Sequence, residues 1–211
     1  MEQKLPEDIA RAMIDLGELA LAFGRTDRIT RHPDGVTLES DTDHTVMLGL
    51  AACAFASRFA PGLDVGKVAQ FALVHDLVEV YAGDTVTSMK GFSSADHKDK
   101  EEREAAALAR IEREFGATLP WLPDTITAYE RLDTPEARFV KVVDKAMPKI
   151  ANILNGGVTF KPQGHDKASA EEFLKRQQDK LRESYGADQP EAMELLRVLG
   201  EEMVRSIYSE E

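Results

Sequence analysis

Two stretches of this chain place ionisable side chains where water is scarce. In the run Ala72-Leu-Val-His-Asp-Leu-Val-Glu-Val-Tyr-Ala-Gly-Asp84, His75 and Asp76 are adjacent within apolar sequence, Glu79 follows His75 by one helical turn, and Asp84 follows Gly83. In Phe139-Val-Lys-Val-Val-Asp-Lys-Ala-Met147, Asp144 is likewise embedded among apolar residues. A buried carboxylate must be paired or coordinate a metal. His44, next to Asp43 and followed by apolar residues, offers a second imidazole. Two imidazoles and two carboxylates (His44, His75, Asp76 and Asp144) suit a divalent transition metal such as Mn, Co, Zn, Fe or Ni, with Mg also admissible, and with open positions for water and substrate. Such an ion acidifies a bound water and polarises a substrate oxygen, and Glu79 and Asp84 are carboxyls beside it that could move a proton. Glu79 shares a helix face with His75, which favours it for orienting the attacking water; the sequence leaves open which of Glu79 and Asp84 is acid and which is base. No Ser or Cys elbow offers a covalent nucleophile.

The set carries this chemistry; its parts do not. A second His-Asp pair, His165-Asp166, lies after Gly164 in polar sequence and reads as turn and cap chemistry. Phosphate also needs cations. Arg31 suits bidentate recognition of a phosphate. Lys141 lies one turn before Asp144, and Lys90 sits in a Ser-Met-Lys-Gly loop after Asp84. Lys145, Lys149 and Arg138 are weaker candidates.

The elements that must position these residues are helical. Apolar spacing predicts a helix over about 6–22, a polar connection over 24–41 turning at Pro33-Asp34-Gly35, and a helix from the caps of Ser40–Asp43 to about Phe59. The next helix runs from Val65 to about Tyr81 and stops at Gly83. Further helices cover 95–115, 121–131, Thr134 to about Leu154 with a bend near Pro148, 168–184 and 189–208. The 95–115 helix reads as a solvated face laced by ion pairs. No strand alternation stands out. The fold expected is all-α: one helical-bundle domain over 1–211, with a metal-site core at about 31–149 and C-terminal helices at about 168–208. The 211 residues suffice for a full core.

Formal net charge is −12, from 26 basic and 38 acidic side chains, which disfavours a long nucleic-acid partner and leaves a small phosphorylated substrate open. The single cysteine, Cys53, excludes an internal disulfide. The first residues lack a basic and then apolar leader pattern, and no apolar run reaches the ~18 residues of a membrane span, so a cytoplasmic protein with no membrane partner is expected. A helical domain of this kind could form a homodimer, which the sequence does not show.

The order His44, His75-Asp76, Asp144 resembles the HD-domain phosphohydrolase superfamily, named for such a pair. Glu three residues after the Asp, and Gly-Asp at the following helix end, look like its 5′-deoxynucleotidase branch. The resemblance covers about Arg31 to Lys149. It implies an all-helical HD-domain-like fold, metal ligands at His44, His75, Asp76 and Asp144, and acid/base roles for Glu79 and Asp84. The branch carries Arg then Trp upstream of the first ligand His; here Arg31 fits and His32 replaces the Trp, a departure that falls on the sugar and base contacts. The activity implied is release of phosphate from deoxynucleoside 5′-monophosphates. A deoxynucleoside triphosphate triphosphohydrolase is the alternative, favoured slightly by Lys90 and Lys141. Hydrolases of guanosine tetraphosphate carry Glu-Asp where this chain has Glu79-Val80, which argues against that activity. A non-catalytic nucleotide- or protein-binding module is the reading of another class, opposed by the intact ligand set.

Overall fold

The computed structural model describes residues 7–85 and 93–208, so Lys90 lies outside the described residues. Ten α-helices are present among them: α1 (Glu7–Phe23), α2 (Asp41–Phe59), α3 (Val65–Val74), α4 (Glu79–Ala82), α5 (Ser94–Phe115), α6 (Trp121–Glu130), α7 (Pro135–Asp144), α8 (Met147–Leu154), α9 (Lys167–Tyr185) and α10 (Pro190–Ile207). The helical expectation holds, with one addition. A hairpin of β1 (Asp27–Arg31) and β2 (Leu38–Ser40) pairs antiparallel where a polar connection was expected. Strands this short carry too little alternation to read. Their turn is nevertheless built by the expected residues: Asp34 Oδ1 accepts from the Val36 and Thr37 amides, and Gly35 takes φ 71°.

Helix starts follow the cap chemistry. Ser40 caps α2 in a capping box with Asp43, Asp64 caps α3, Thr134 caps α7 ahead of Pro135, and Asp166 caps α9. Asp166 therefore does the cap work expected of the second His-Asp pair. Two helices break earlier than apolar periodicity suggested. The 65–81 segment stops at Val74, and residues 75–78 turn tightly before α4, with Leu77 N–H bonding to the Val74 carbonyl and Glu79 N–H to that of Asp76. The 135–154 segment breaks at Lys145-Ala146, ahead of Pro148. A metal-ligand candidate sits at each break.

Three apolar clusters fix these pieces. Leu48, Phe71, Phe139, Val143, Met147 and Leu196 join α2, α3, α7, α8 and α10. Leu19, Val74, Ile111, Phe115 and Ile126 join α1, α3, α5 and α6. Phe160, Leu174, Met203 and Ile207 dock α9 on α10. Each fully buried large side chain contributes about 1.5–3 kcal/mol, so the helix ends at 74–79 and 144–147 are held by packing on both sides. No helix among the described residues is long and apolar enough to cross a membrane.

Candidate metal centre

The four expected ligands meet. One ligand atom from each of His44, His75, Asp76 and Asp144 lies within 4.8 Å of the others. His44 comes from the first turn of α2, His75 and Asp76 from the turn after α3, and Asp144 from the last position of α7. Helix ends bring them together because side chains there can converge without crossing a neighbouring helix.

Both imidazoles are set for coordination. His75 donates from Nδ1 to the Ala72 carbonyl at 2.9 Å, and His44 donates from Nδ1 to Glu39 Oε1 at 3.1 Å. Each ring therefore turns Nε2 inward, with its orientation fixed by an outer acceptor. His75 Nε2 is buried with no hydrogen-bond partner, and it faces Asp76 Oδ2 at 2.9 Å. A proton on Nε2 satisfies this pair, and a cation taking that proton's place would have both atoms as ligands. His44 Nε2 lies 2.9 Å from Asp144 Oδ1. Burial disfavours a charged His44, but the Asp144 and Glu39 carboxylates outweigh it and bring its pKa up to about 9. Metal binding at Nε2 displaces that proton. Burial also resists ionisation of Asp76 and Asp144. His75 and Arg28 beside the first, and Lys145 and His44 beside the second, hold both carboxyls well below the usual range. The residues thus fit a divalent ion with mixed nitrogen and oxygen ligands.

Glu79 and Asp84 lie beside this cluster in different settings. Glu79 is buried at the start of α4, with Oε2 3.6 Å from Arg28 Nη1 and Oε1 3.7 Å from Lys100 Nζ. Burial, then the charges of Asp76 and Asp84, push its pKa well up against the pull of Arg28. Gly83, at φ 74°, turns the chain so that Asp84 borders a cavity shared with Arg28, Asp144 and Lys145. Burial likewise raises the Asp84 pKa, opposed by Arg28.

Arg28, Glu39 and Lys100 were not singled out from sequence. Arg28 Nη1 donates to Asp41 Oδ1 at 2.9 Å and Asp76 Oδ2 at 3.0 Å, and so counters the acidic cluster from β1. Asp41 is fully buried, and burial holds its pKa at about 6 despite Arg28. Arg28 thus joins the cluster from three residues before Arg31. Lys100 shows that α5 is not only a solvated face. An acid–base pattern on each side of the hairpin was the available signal, but it needed the β1–β2 pairing to be read.

The expected phosphate cations divide. Arg31 donates from Nη1 to the Val36 carbonyl at 2.5 Å, within its own hairpin. Lys141 Nζ lies 5.9 Å from the centre of the Tyr129 ring. Neither borders the cavity, whereas Lys145 does and donates to Asp144 Oδ2 at 2.7 Å. His32, at the position where the branch has Trp, lies at the surface 3.4 Å from Asp43.

The HD domain family model matches residues 25–188. No curated protein matches. Among solved structures, a predicted metal-dependent phosphohydrolase from Magnetospirillum magnetotacticum MS-1 is 28% identical, over 94% of this chain and 97% of that one, with a TM-score of 0.72. A conserved hypothetical protein from Pyrococcus furiosus is 25% identical, over 88% and 99% of the two chains, with a TM-score of 0.58. A family model spanning most of the sequence, and a His/Asp cluster assembled from three separate helix ends, place one conclusion beyond the motif itself: this chain belongs to the HD-domain family.

Proposed function

We propose that the protein is a metal-dependent phosphohydrolase whose substrate is a deoxynucleoside 5′-monophosphate. The phosphohydrolase class follows from HD-domain membership and from the metal-dependent phosphohydrolase it is similar to. The observation that carries it here is the convergence of His44 Nε2, His75 Nε2 and the Asp76 and Asp144 carboxylates, with both outer imidazole nitrogens already committed. A divalent ion bound there supplies Lewis acidity and an acidified water. Two imidazoles favour a transition metal over Mg.

The chain's own groups then divide the proton work. A cation held by Asp76 and its neighbours would offset the negative charge that raises the Glu79 pKa, and the ionised Glu79, beside Asp76 and Arg28, then takes the proton of the attacking water. Asp84, on the cavity wall, hands a proton to the departing alcohol oxygen. Water and a phosphomonoester become phosphate and an alcohol, and no covalent intermediate is needed. Lys145 orients Asp144 and presents positive charge to the phosphate. Among the described residues, Arg28, Lys145 and Lys149 are the cations that border the cavity, and all three already hold hydrogen-bond acceptors. Three cations so engaged suit the charge of one phosphate, which is the reading taken over the triphosphohydrolase alternative on the described residues.

Phosphate, pyrophosphate and tripolyphosphate release should be measured over a panel of dNMPs and dNTPs with Mn²⁺, Co²⁺, Zn²⁺, Fe²⁺, Ni²⁺ and Mg²⁺. Phosphate from dNMPs is expected, with loss of metal content and activity in His75→Ala and Asp76→Ala. Tripolyphosphate as the main product would overturn the substrate, and full metal content in both variants would overturn the site.

A further inference from the structure

The cavity bordered by Arg28, Asp84, Asp144 and Lys145 continues against the C-terminal part of the chain, where Phe160, Phe173 and Gln177 form wall. Its volume is about 120 Å³. A protein cavity on the order of 150 Å³ holds one benzene ring, so this space takes one ring and not a purine joined to its sugar. The wall is mixed. The Phe160 and Phe173 rings, 5.9 Å apart at 50°, give the wall apolar surface. Gln177 offers the hydrogen bond.

The Gln177 amide has a defined direction. Lys149 is buried, at 3% exposure, and its Nζ donates to the Lys145 carbonyl at 2.7 Å and to Gln177 Oε1 at 2.6 Å. A lysine nitrogen selects the acceptor end of an amide, so Oε1 is committed to Lys149 and Nε2 keeps two N–H donors for a ligand. Lys149 is thus a positioning residue that ties α9 to α8, five residues after the ligand Asp144.

We propose that this cavity seats the pentose of a pentose 5-phosphate whose phosphate lies at the metal centre, and that Gln177 donates from Nε2 to a sugar oxygen and sets the preference for pentose leaving groups. It rests on the phosphomonoester reading and adds the organic half of the substrate. In a nucleotide, the base lies at the mouth, outside the cavity. A free sugar phosphate presents the same ring, so the two sources are separated by experiment.

The test compares kcat/KM for dAMP, 2-deoxyribose 5-phosphate and p-nitrophenyl phosphate in the metal-loaded protein, in the parent chain, Gln177→Glu and Gln177→Met. Gln177→Glu keeps an acceptor for Lys149 and removes both N–H donors. Gln177→Met removes the group with no added charge and guards against an effect of the new carboxylate. Circular dichroism and metal content report that each variant is folded and loaded. One neutral hydrogen bond is worth about 0.5–1.5 kcal/mol, hence a roughly 3- to 10-fold fall in the ratio of pentose-phosphate to p-nitrophenyl phosphate kcat/KM, carried by KM. An unchanged ratio in both variants overturns the assignment. If 2-deoxyribose 5-phosphate is cleaved and its ratio falls while dAMP is not a substrate, the pocket stands and the nucleotidase reading fails. If dAMP is cleaved with an unmoved ratio, the reverse holds. No turnover of either pentose phosphate by the parent chain overturns both.

Discussion

Glu39 touches no expected ligand atom directly, yet removing it should weaken the metal centre. It is 5% exposed, and its Oε1 accepts the His44 Nδ1–H at 3.1 Å while Arg28 Nε lies 4.0 Å away. Loss of that acceptor frees the His44 ring to rotate and lowers the basicity of Nε2. Loss of such an outer partner costs about 10–100-fold in metal affinity, or roughly 1.4–2.7 kcal/mol. The assay is the metal-induced rise in unfolding temperature, Glu39→Ala against the parent, each referred to its own chelated form so that a packing loss cancels. At a metal concentration of about 1,000 Kd the parent gains about 4.1 kcal/mol, and a variant binding about 30-fold more weakly gains about 2.1 kcal/mol. For a chain of this length 1 kcal/mol is about 2–4 °C, so the metal-induced shift should shrink by roughly 4–8 °C. Glu39→Gln can still offer an oxygen to Nδ1 and should recover part of the shift. An undiminished shift in Glu39→Ala would refute the view that Glu39 sets the His44 ring.

Arg28→Met strips the counter-charge from Asp41, Asp76 and Glu79. Breaking a buried ion pair costs about 3–5 kcal/mol, so the chelated variant should melt roughly 6–20 °C lower at pH 8. The deficit should narrow toward pH 5 as the stranded carboxyls take up protons; a deficit independent of pH would count against the cluster. Lys149 gives a pH dependence of the same sign from a destabilising group. Burial, then the charge of Lys145, brings its pKa from 10.5 down to about 7 against the pull of Asp144. Between those values the unfolded chain binds the extra proton, so folded stability contributed by this group rises with pH, and its full penalty is felt below pH 7. Lys149→Met removes the penalty, so the melting temperature of the variant minus that of the parent should be level below about pH 7 and fall from there to pH 10. A flat or rising difference would mean that Lys149 keeps its proton at an ordinary pKa.

The ligands were legible because apolar sequence around an acid or imidazole is costly and therefore rare. His75, Asp76 and Asp144 each carry that signal within a few residues. The helices that hold His44 and Asp144 were legible from caps, since Ser40 and Thr134 do in the fold what their type and position suggest, as Asp166 does for α9. The breaks at 75–78 and 145–146 were not. Apolar periodicity runs straight through both, because the residues on either side pack into the same clusters. Arg28 and Glu39 were hidden for a related reason. Each is an ordinary surface type in a polar stretch, and only the pairing of β1 with β2 turns them inward together. Arg31 shows the converse. Its sequence position matched a phosphate-binding pattern, and its guanidinium closes on Val36 within the hairpin.

The helix breaks also explain why the His-Asp pair alone says so little. In a continuous helix, neighbouring side chains project about 100° apart, so His75 and Asp76 could not readily reach one ion. The tight turn after Val74 brings Asp76 Oδ2 to 2.9 Å from His75 Nε2, and the Ala72 carbonyl holds the ring that makes this approach useful. His165 and Asp166 have the same chemistry without that turn. Asp166 is spent on the Ser169 amide, and His165 stacks on Phe160 at 4.5 Å. One dipeptide is placed as a candidate metal-ligand pair and the other as a cap with an aromatic partner.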